Sequence, residues 1–349
     1  MSATATAEST KAFELEATLK GVLQTIERER EREIISRRFG LFDRKETLEQ
    51  IGELLGITRE RVRQLEKVAL TRLKTAATNG DLPKIDVFQT AVIADLSTHG
   101  NVARISELAS RIAKDSGKIE QSRVLFLCEL APELSVIEEN DHYFANAGVR
   151  KVNDKKQVTD QVGAIIAAVK EIGKPTDIET IAKAVKSTDT AHVAALASVS
   201  KNLAHLNGRW GLTKWPMVNP KNIRDKIYVI LHENGSHMHF NEIAAAIRES
   251  DFKRKDVTTQ AIHNELIKDK RFVLIGRGIY ALQEWGYKKG TVADMITEVL
   301  EEAGEPLHRD EIVKRVLKKR HVKETTILLN LQGKPQFKRT AKATYGLAD

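Results

Sequence analysis

The sequence predicts a mainly α-helical chain with small β-hairpin wings, organised as a helix-turn-helix domain followed by tandem winged-helix domains. Three observations carry this. Gly and Pro number 20 and 7 in 349 residues, about 8% against a usual ~12%, which argues against β-sandwiches, collagen-like repeats and long disordered stretches. Apolar residues recur at helical spacing through most of the chain. Third, a glycine that closes a helical stretch returns four times, each followed eight positions later by an apolar residue: Gly100 and Leu108, Gly173 and Ile181, Gly235 and Ile243, Gly304 and Ile312. The intervals of 62 to 73 residues are those of a small domain rather than a solenoid repeat.

The chain has 56 Lys and Arg against 48 Asp and Glu, a net charge of +8. That suits a polyanionic partner met by local basic surfaces, not by a histone-like tail. The single cysteine, Cys128, excludes a disulfide framework or a Cys-rich zinc site and fits a reducing compartment. No apolar run reaches the roughly 18 residues a membrane span needs. The opening MSATATAEST lacks the basic and apolar regions of a signal peptide. The expectation is a soluble cytoplasmic, nucleoid-associated protein with no membrane partner, no small-molecule substrate and no cofactor.

Taken in order, residues 1–14 are Ala/Thr/Ser-rich and predict a disordered tail. A charged helical segment follows over 15–79 and ends at the turn signal Asn79-Gly80 with Pro83 beyond. Within it, TLEQIGELLGITRERVRQLEKVALTRLK (47–74) reads as a helix-turn-helix. Thr47 and Gln50 form a capping box, Ile51, Leu54 and Leu55 give an apolar face, Gly56 makes the turn and Thr58 caps the second helix. Val62, Leu65, Ala69, Leu70 and Leu73 then face inward, leaving Arg59, Glu60, Arg61, Arg63 and Gln64 outward. Residues 59–74 hold six cations (Arg59, Arg61, Arg63, Lys67, Arg72, Lys74) against Glu60 and Glu66, a local excess of four. Arg suits the two acceptors of guanine, Gln suits adenine, and Glu accepts from the cytosine amine, so this surface has the chemistry to read adjacent base pairs. The alternative is a solvated face of i,i+4 pairs.

At these residues the sequence closely resembles region 4 of bacterial primary sigma factors, over about Leu19 to Lys74. REREIISRRFGL (30–41) matches the supporting half and ITRERVRQLEKVALTRL (57–73) the recognition half. The resemblance implies that Arg59, Glu60 and Gln64 meet bases of a promoter −35 element, with Arg61 and Arg63 mainly on phosphates; Lys67, in the same basic stretch, is a further candidate phosphate contact. It further implies that Ile35, Phe39 and Leu41 dock on the flap of the RNA polymerase β subunit, although their periodicity alone makes them core. Sigma factors carry an aromatic-rich, promoter-melting region upstream. Here region 4 begins near residue 19, so the expectation is a protein that does not open promoters alone.

The four repeats predict modules at 84–150, 156–216, 220–287 and 290–349. Six positions after each glycine stands Ser106, Glu179, Asn241 or Asp310, and three of the four are good N-caps for the start of a second helix. Each module ends in a β-like run with an aromatic: Tyr143, Trp210, Tyr280 or Tyr345. These rings are expected to lock each hairpin onto its helices, base stacking being the rival role. In 220–287 the helices are expected at 223–233, 241–248 and 257–268, and the strands 272–275 and 279–282 flank Gly276-Arg277-Gly278. FNEIAAAI and RFVLIGRGIYALQEW (271–285) resemble the HARE-type winged helix of the RNA polymerase δ subunit, a fold that binds DNA or protein. Arg277 at the turn and Lys253, Arg254 and Lys255 before the third helix are candidate phosphate contacts. So are Lys314, Lys318 and Lys319, in the acid-free run Val313–Lys323 that also holds Arg315, Arg320 and Lys323.

No catalytic pattern is present. His237 and His239 form a lone HxH without a third ligand, and there is no Gly-rich phosphate loop or GxSxG. The expected function is non-enzymatic: a bacterial transcription protein binding double-stranded DNA and RNA polymerase core. The rival expectations are a specificity component of a restriction or defence system, or a nucleoid-bridging protein.

Overall fold

A computed structural model describes residues 15–113, 117–252, 256–287, 290–319 and 322–348. The tail expected at 1–14, and Lys253, Arg254, Lys255 and Arg320, lie outside the described residues. The described residues form sixteen α-helices and eleven short strands in two compact units, one ending at Lys214 and one beginning at Trp215. No described helix is long and apolar enough to cross a membrane.

The first unit opens with α1 (Leu15–Gln24), α2 (Glu29–Phe39), α3 (Leu48–Leu55) and α4 (Arg59–Asn79). Gly80, left-handed at φ 80°, closes α4 where Asn79-Gly80 predicts a turn. Next come α5 (Ile85–Thr98), β1 (Val102–Arg104), α6 (Ile105–Ile112), α7 (Lys118–Leu130), β2 (Leu134–Ile137) and β3 (Asn146–Val149). The antiparallel sheet order β1-β3-β2 is that of a winged helix. The third module repeats the plan with α8 (Lys155–Ile172), α9 (Ile178–Ala184), α10 (Thr190–Val199), β4 (Leu203–Leu206) and β5 (Arg209–Leu212). Its first strand shrinks to a single bridge between Thr176 and Trp210.

One buried apolar cluster runs from Leu15 to Ala147, so the segments expected as separate modules at 15–79 and 84–150 share a core. The cause is visible in α7. Leu125, Phe126, Leu127 and Cys128 are four consecutive apolar residues, which no single helix face can hold, and all four are buried. One side of α7 packs on α5, α6 and β2, and the other on α1, α2 and α4. The Phe126 ring lies 4.9 Å from that of Phe39, Arg123 Nε donates to the Leu41 carbonyl at 2.9 Å, and Lys74 pairs with Glu129.

The next joint is made similarly by α10. A His192 ring nitrogen lies 2.7 Å from the Gly100 carbonyl oxygen, and Arg104 Nε donates to the Ser198 carbonyl at 2.5 Å. The Phe144 N–H donates to the Val199 carbonyl at 3.0 Å. Gly100 has φ 88°, and a Cβ there would stand 2.5 Å from the Ala191 carbonyl oxygen. The residue that ends the repeat's first helix is thus also needed for close approach.

The second unit holds two winged helices. The first comprises α11 (Ile223–Asn234), β6 (Met238–His239), α12 (Phe240–Glu249), α13 (Thr259–Lys268), β7 (Phe272–Gly276) and β8 (Ile279–Leu282), in sheet order β6-β8-β7. The second comprises α14 (Val292–Ala303), β9 (Leu307–His308), α15 (Arg309–Lys319), α16 (Glu324–Gly333), β10 (Phe337–Ala341) and β11 (Thr344–Leu347), in order β10-β11-β9.

Two expectations need correction. The second helix of each repeat starts earlier than Ser106, Asn241 and Asp310 suggest, at the residue after the glycine plus four, and in three repeats that position caps the helix through its side chain. Asp177 accepts the Thr180 N–H at 2.7 Å, His239 Nδ1 the Asn241 N–H at 3.2 Å, and His308 Nδ1 the Asp310 N–H at 3.3 Å. Tyr143, unlike Trp210, Tyr280 and Tyr345, is not on a strand: it precedes β3 and bridges to Ser200 of the next module. Tyr280 and Tyr345 are buried and do lock their hairpins.

Candidate nucleic-acid interface

The exposed face of α4 is prepared by three short elements. Thr47 and Gln50 close a reciprocal capping box on α3, with bonds of 3.2 and 2.9 Å. Gly56, at φ 63°, ends α3, and the Ile57 N–H returns to the Gly52 carbonyl at 2.9 Å. Thr58 Oγ1 accepts the Arg61 N–H at 3.2 Å and starts α4. Ile34, Ile51 and Val62 are fully buried where α2, α3 and α4 meet, with Leu48, Leu55, Ile57 and Leu65 around them. Arg30 donates to the Leu55 carbonyl and ties α2 to the end of α3. One structural residue escapes the sequence reading. A Cβ on Gly52 would lie 2.7 Å from the Ile57 carbonyl oxygen, so only glycine lets α3 approach the turn this closely. Its signal is a glycine inside a short helix, a costly position.

Arg59, Glu60, Arg61, Arg63, Gln64 and Lys67 are all exposed, as the periodicity requires. Arg59, Arg63 and Lys67 are four residues apart and form one line, with Glu60 and Gln64 on the next. From Arg59 to Lys67 the helix rises roughly 12 Å, comparable with the width of a major groove. The carboxylate of Glu60 accepts two bonds from Arg63, at 2.8 and 2.7 Å, and one from Gln64 Nε2 at 3.4 Å. Arg61 reaches Gln64 Oε1 at 3.3 Å. The Arg63 hydrogen bonds hold the Glu60 carboxyl below its ordinary pKa. This solvent-exposed pair is easily exchanged for other partners.

The cationic excess on α4 is concentrated near its start. Arg72, itself exposed, pairs with Glu31 at 3.2 Å, a carboxylate 4% exposed that Arg28 also approaches at 3.3 Å. Lys74 is taken by Glu129, and Arg63 by Glu60. Among the described residues, Arg59, Arg61 and Lys67 have no carboxylate ion-pair partner.

The docking residues are a correction. Ile35 and Leu41 have no exposed surface, and Phe39 packs its ring on Phe126. The face implied for the polymerase flap is covered by α7 of the same chain, so these three side chains act as core. For the same reason α7 and α10, the third helices of their winged modules, hold the preceding module and do not present a reading face.

In the second unit Arg277 is exposed at the β7–β8 turn, and Lys314 and Lys318 are exposed on α15. Lys319 is not free as the acid-free run suggests: its Nζ lies 2.8 Å from Glu302 and 3.6 Å from Glu298 on α14, and Arg315 pairs with Glu311 at 2.7 Å. Sequence distance hides Glu298 and Glu302. His239 is spent as a helix cap, and no group of three metal-ligating side chains is found among the described residues.

The Sigma-70 region 4 family model matches residues 28–75. RNA polymerase sigma factor SigA1 of Synechococcus elongatus is 51% identical over 57 residues, 16% of this chain and 14% of that protein. Sigma factor sigB of Arabidopsis thaliana is 46% identical over 61 residues, 17% of this chain and 11% of its own. SigA of a Bacillus species is 48% identical over 65 residues, 18% and 17% respectively. The chain thus spans less than a fifth of the length of each of these relatives, and the matched stretch is the body formed by α2, α3 and α4.

Proposed function

We propose that this chain is a non-enzymatic DNA-binding transcription protein that reads duplex DNA through α4 of its region 4 segment and works with RNA polymerase core. The observation that carries this is the start of α4: a capped, exposed face on a rigid three-helix body in a stretch that matches region 4. Arg59, Glu60 and Gln64 address base edges of a −35-like element, and Arg61, Arg63 and Lys67 address phosphates. On binding, Glu60 exchanges Arg63 for a base amine, which frees that guanidinium for the backbone. A polymerase contact uses a surface other than Ile35, Phe39 and Leu41. Arg277, Lys314 and Lys318 supplement the phosphate contacts, whereas Lys319 stays with α14. The protein acts in the cytoplasm, on the nucleoid.

Selection of duplexes from a random pool, followed by anisotropy titration, tests the reading. Replacing Arg59, Glu60 and Gln64 by Ala removes the preference for the selected over a scrambled duplex, since each good bidentate contact discriminates by about 1–3 kcal/mol. Neutralising Arg61 and Arg63 lowers the salt slope by about 0.9 for each phosphate lost and leaves the preference in place. A selected-to-scrambled ratio unchanged by all five substitutions would overturn it.

A further inference from the structure

Helical spacing sets the six cations of α4 in two rows. Arg59, Arg63, Lys67 and Lys74 follow one another at intervals of four, four and seven residues, and Arg61 and Arg72 stand eleven residues apart on another side. Both rows have the same asymmetry. Near the start of α4, Arg59, Arg61 and Lys67 have no carboxylate ion-pair partner among the described residues. At the far end Lys74 pairs with Glu129 of α7, and Arg72 with Glu31 of α2 at 3.2 Å. Leu70, between Lys67 and Lys74, packs on the shared core, where α7 meets α4.

These far pairs differ from the one that Glu60 makes with Arg63. Glu60 is 57% exposed and shares the reading face of α4, so it can turn to a base amine when DNA arrives. The side chains of Glu31 and Glu129 are only 4% and 21% exposed and belong to other helices. Their negative charges therefore stay beside Arg72 and Lys74 whatever approaches. The helix rises roughly 22 Å from Arg59 to Lys74, whereas a major groove is roughly 12 Å wide. Only a helix lying lengthwise over the backbone would set both of its ends on phosphates, and such a contact takes no account of sequence.

We propose that Glu31 and Glu129 are specificity-determining residues. By cancelling the charge at the far end of α4 they confine phosphate contacts to its start and disfavour the lengthwise, sequence-independent mode. Specificity is a difference between two affinities, so weakening the wrong complex raises it as surely as strengthening the right one. Glu129 lies in the first winged module, which thus shapes DNA recognition without touching DNA. The proposal rests on the reading of DNA by α4 given above.

The test uses the full chain and anisotropy titration of the selected and scrambled duplexes between roughly 50 and 200 mM salt. Glu129→Gln frees Lys74 and is expected to steepen the salt slope on the scrambled duplex by about 0.9, a roughly 3.5-fold larger change in affinity over that range. The slope on the selected duplex stays as it is, and the selected-to-scrambled ratio falls. Adding Lys74→Gln to Glu129→Gln returns the slope to its wild-type value, which a mere loss of packing at Glu129 would not do. Glu31→Gln, which frees Arg72, acts in the same way; should that buried substitution prevent folding, the Glu129 variants decide the matter. A scrambled-duplex slope unmoved by Glu129→Gln overturns the proposal, as does a steepening that is equal on both duplexes or that persists with Lys74→Gln. Wild-type protein without any preference for the selected duplex removes the α4 reading, whereas an intact preference with an unmoved slope removes this proposal alone.

Discussion

Substituting Gly100 by Ala should loosen the joint between the first two winged modules. The backbone at this residue has φ 88°, which costs an L-residue about 1–2 kcal/mol. The new Cβ would lie 2.5 Å from the Ala191 carbonyl oxygen and 2.8 Å from the Ala195 Cβ, both on α10. Real Cβ atoms do not approach backbone so closely, and relieving such overpacking costs about 1–3 kcal/mol. Together the two effects come to roughly 2–5 kcal/mol. A shift of α10 would also break the His192 bond to the Gly100 carbonyl. Hydrogen exchange resolved by peptide is the suitable assay, since a chain of two units need not unfold in one step. Amides of α10 and β1 should exchange roughly 30-fold faster or more, at tenfold per 1.4 kcal/mol. Gly163→Ala supplies the opposite sign: this glycine lies exposed within α8 with nothing within 4 Å of its would-be Cβ, so alanine should stabilise by roughly 0.5–1 kcal/mol. Unchanged exchange in α10 of the Gly100 variant, or equal behaviour of the two variants, would refute the joint as described.

Phe126→Ala removes a fully buried ring that supports α2 and should cost about 3–5 kcal/mol, with loss of DNA binding because α4 rests on the same core. Cys128 reports on this directly. Burial raises its thiol pKa far above the ordinary range, so native protein should resist iodoacetamide, and Phe126→Ala should speed alkylation about a hundredfold or more; fast labelling of the native chain would contradict the core. Glu60 supplies a pH test. Its folded pKa is depressed by Arg63, so the pair's contribution is present above the unfolded carboxyl value and is lost as pH falls through the lower folded value. A carboxyl titration by NMR should place the Glu60 midpoint below that of a free glutamate, and Arg63→Ala should restore it; an unmoved midpoint in that variant would show that the pair does not form in solution.

Local signals carried the sequence reading a long way. Thr47, Gln50, Gly56 and Thr58 act on neighbours within a few residues, so the cap and turn chemistry that places α4 is written in the string itself. The four glycines likewise mark helix ends. What escaped depends on partners far away in the chain. Ile35 and Leu41 have the same apolar pattern whether a polymerase or α7 covers them, and only the run Leu125 to Cys128, too apolar for one helix face, hinted at a second contact. Lys319 looked unopposed because Glu302 and Glu298 belong to the preceding helix. Two of the cap positions are hard to read because His239 and His308 accept through Nδ1, and histidine is not among the usual capping residues.

Docking α7 and α10 against their predecessors has a further consequence, one of azimuth. If α4 lies in a groove as proposed, the body through to Lys214 is held at one angle around the duplex axis. Moving the α4 site by about five base pairs, half a helical repeat, carries the Lys214 end to the opposite side of the DNA, and moving it by a full repeat returns it. The point from which the second unit departs is thereby phased to the helical repeat.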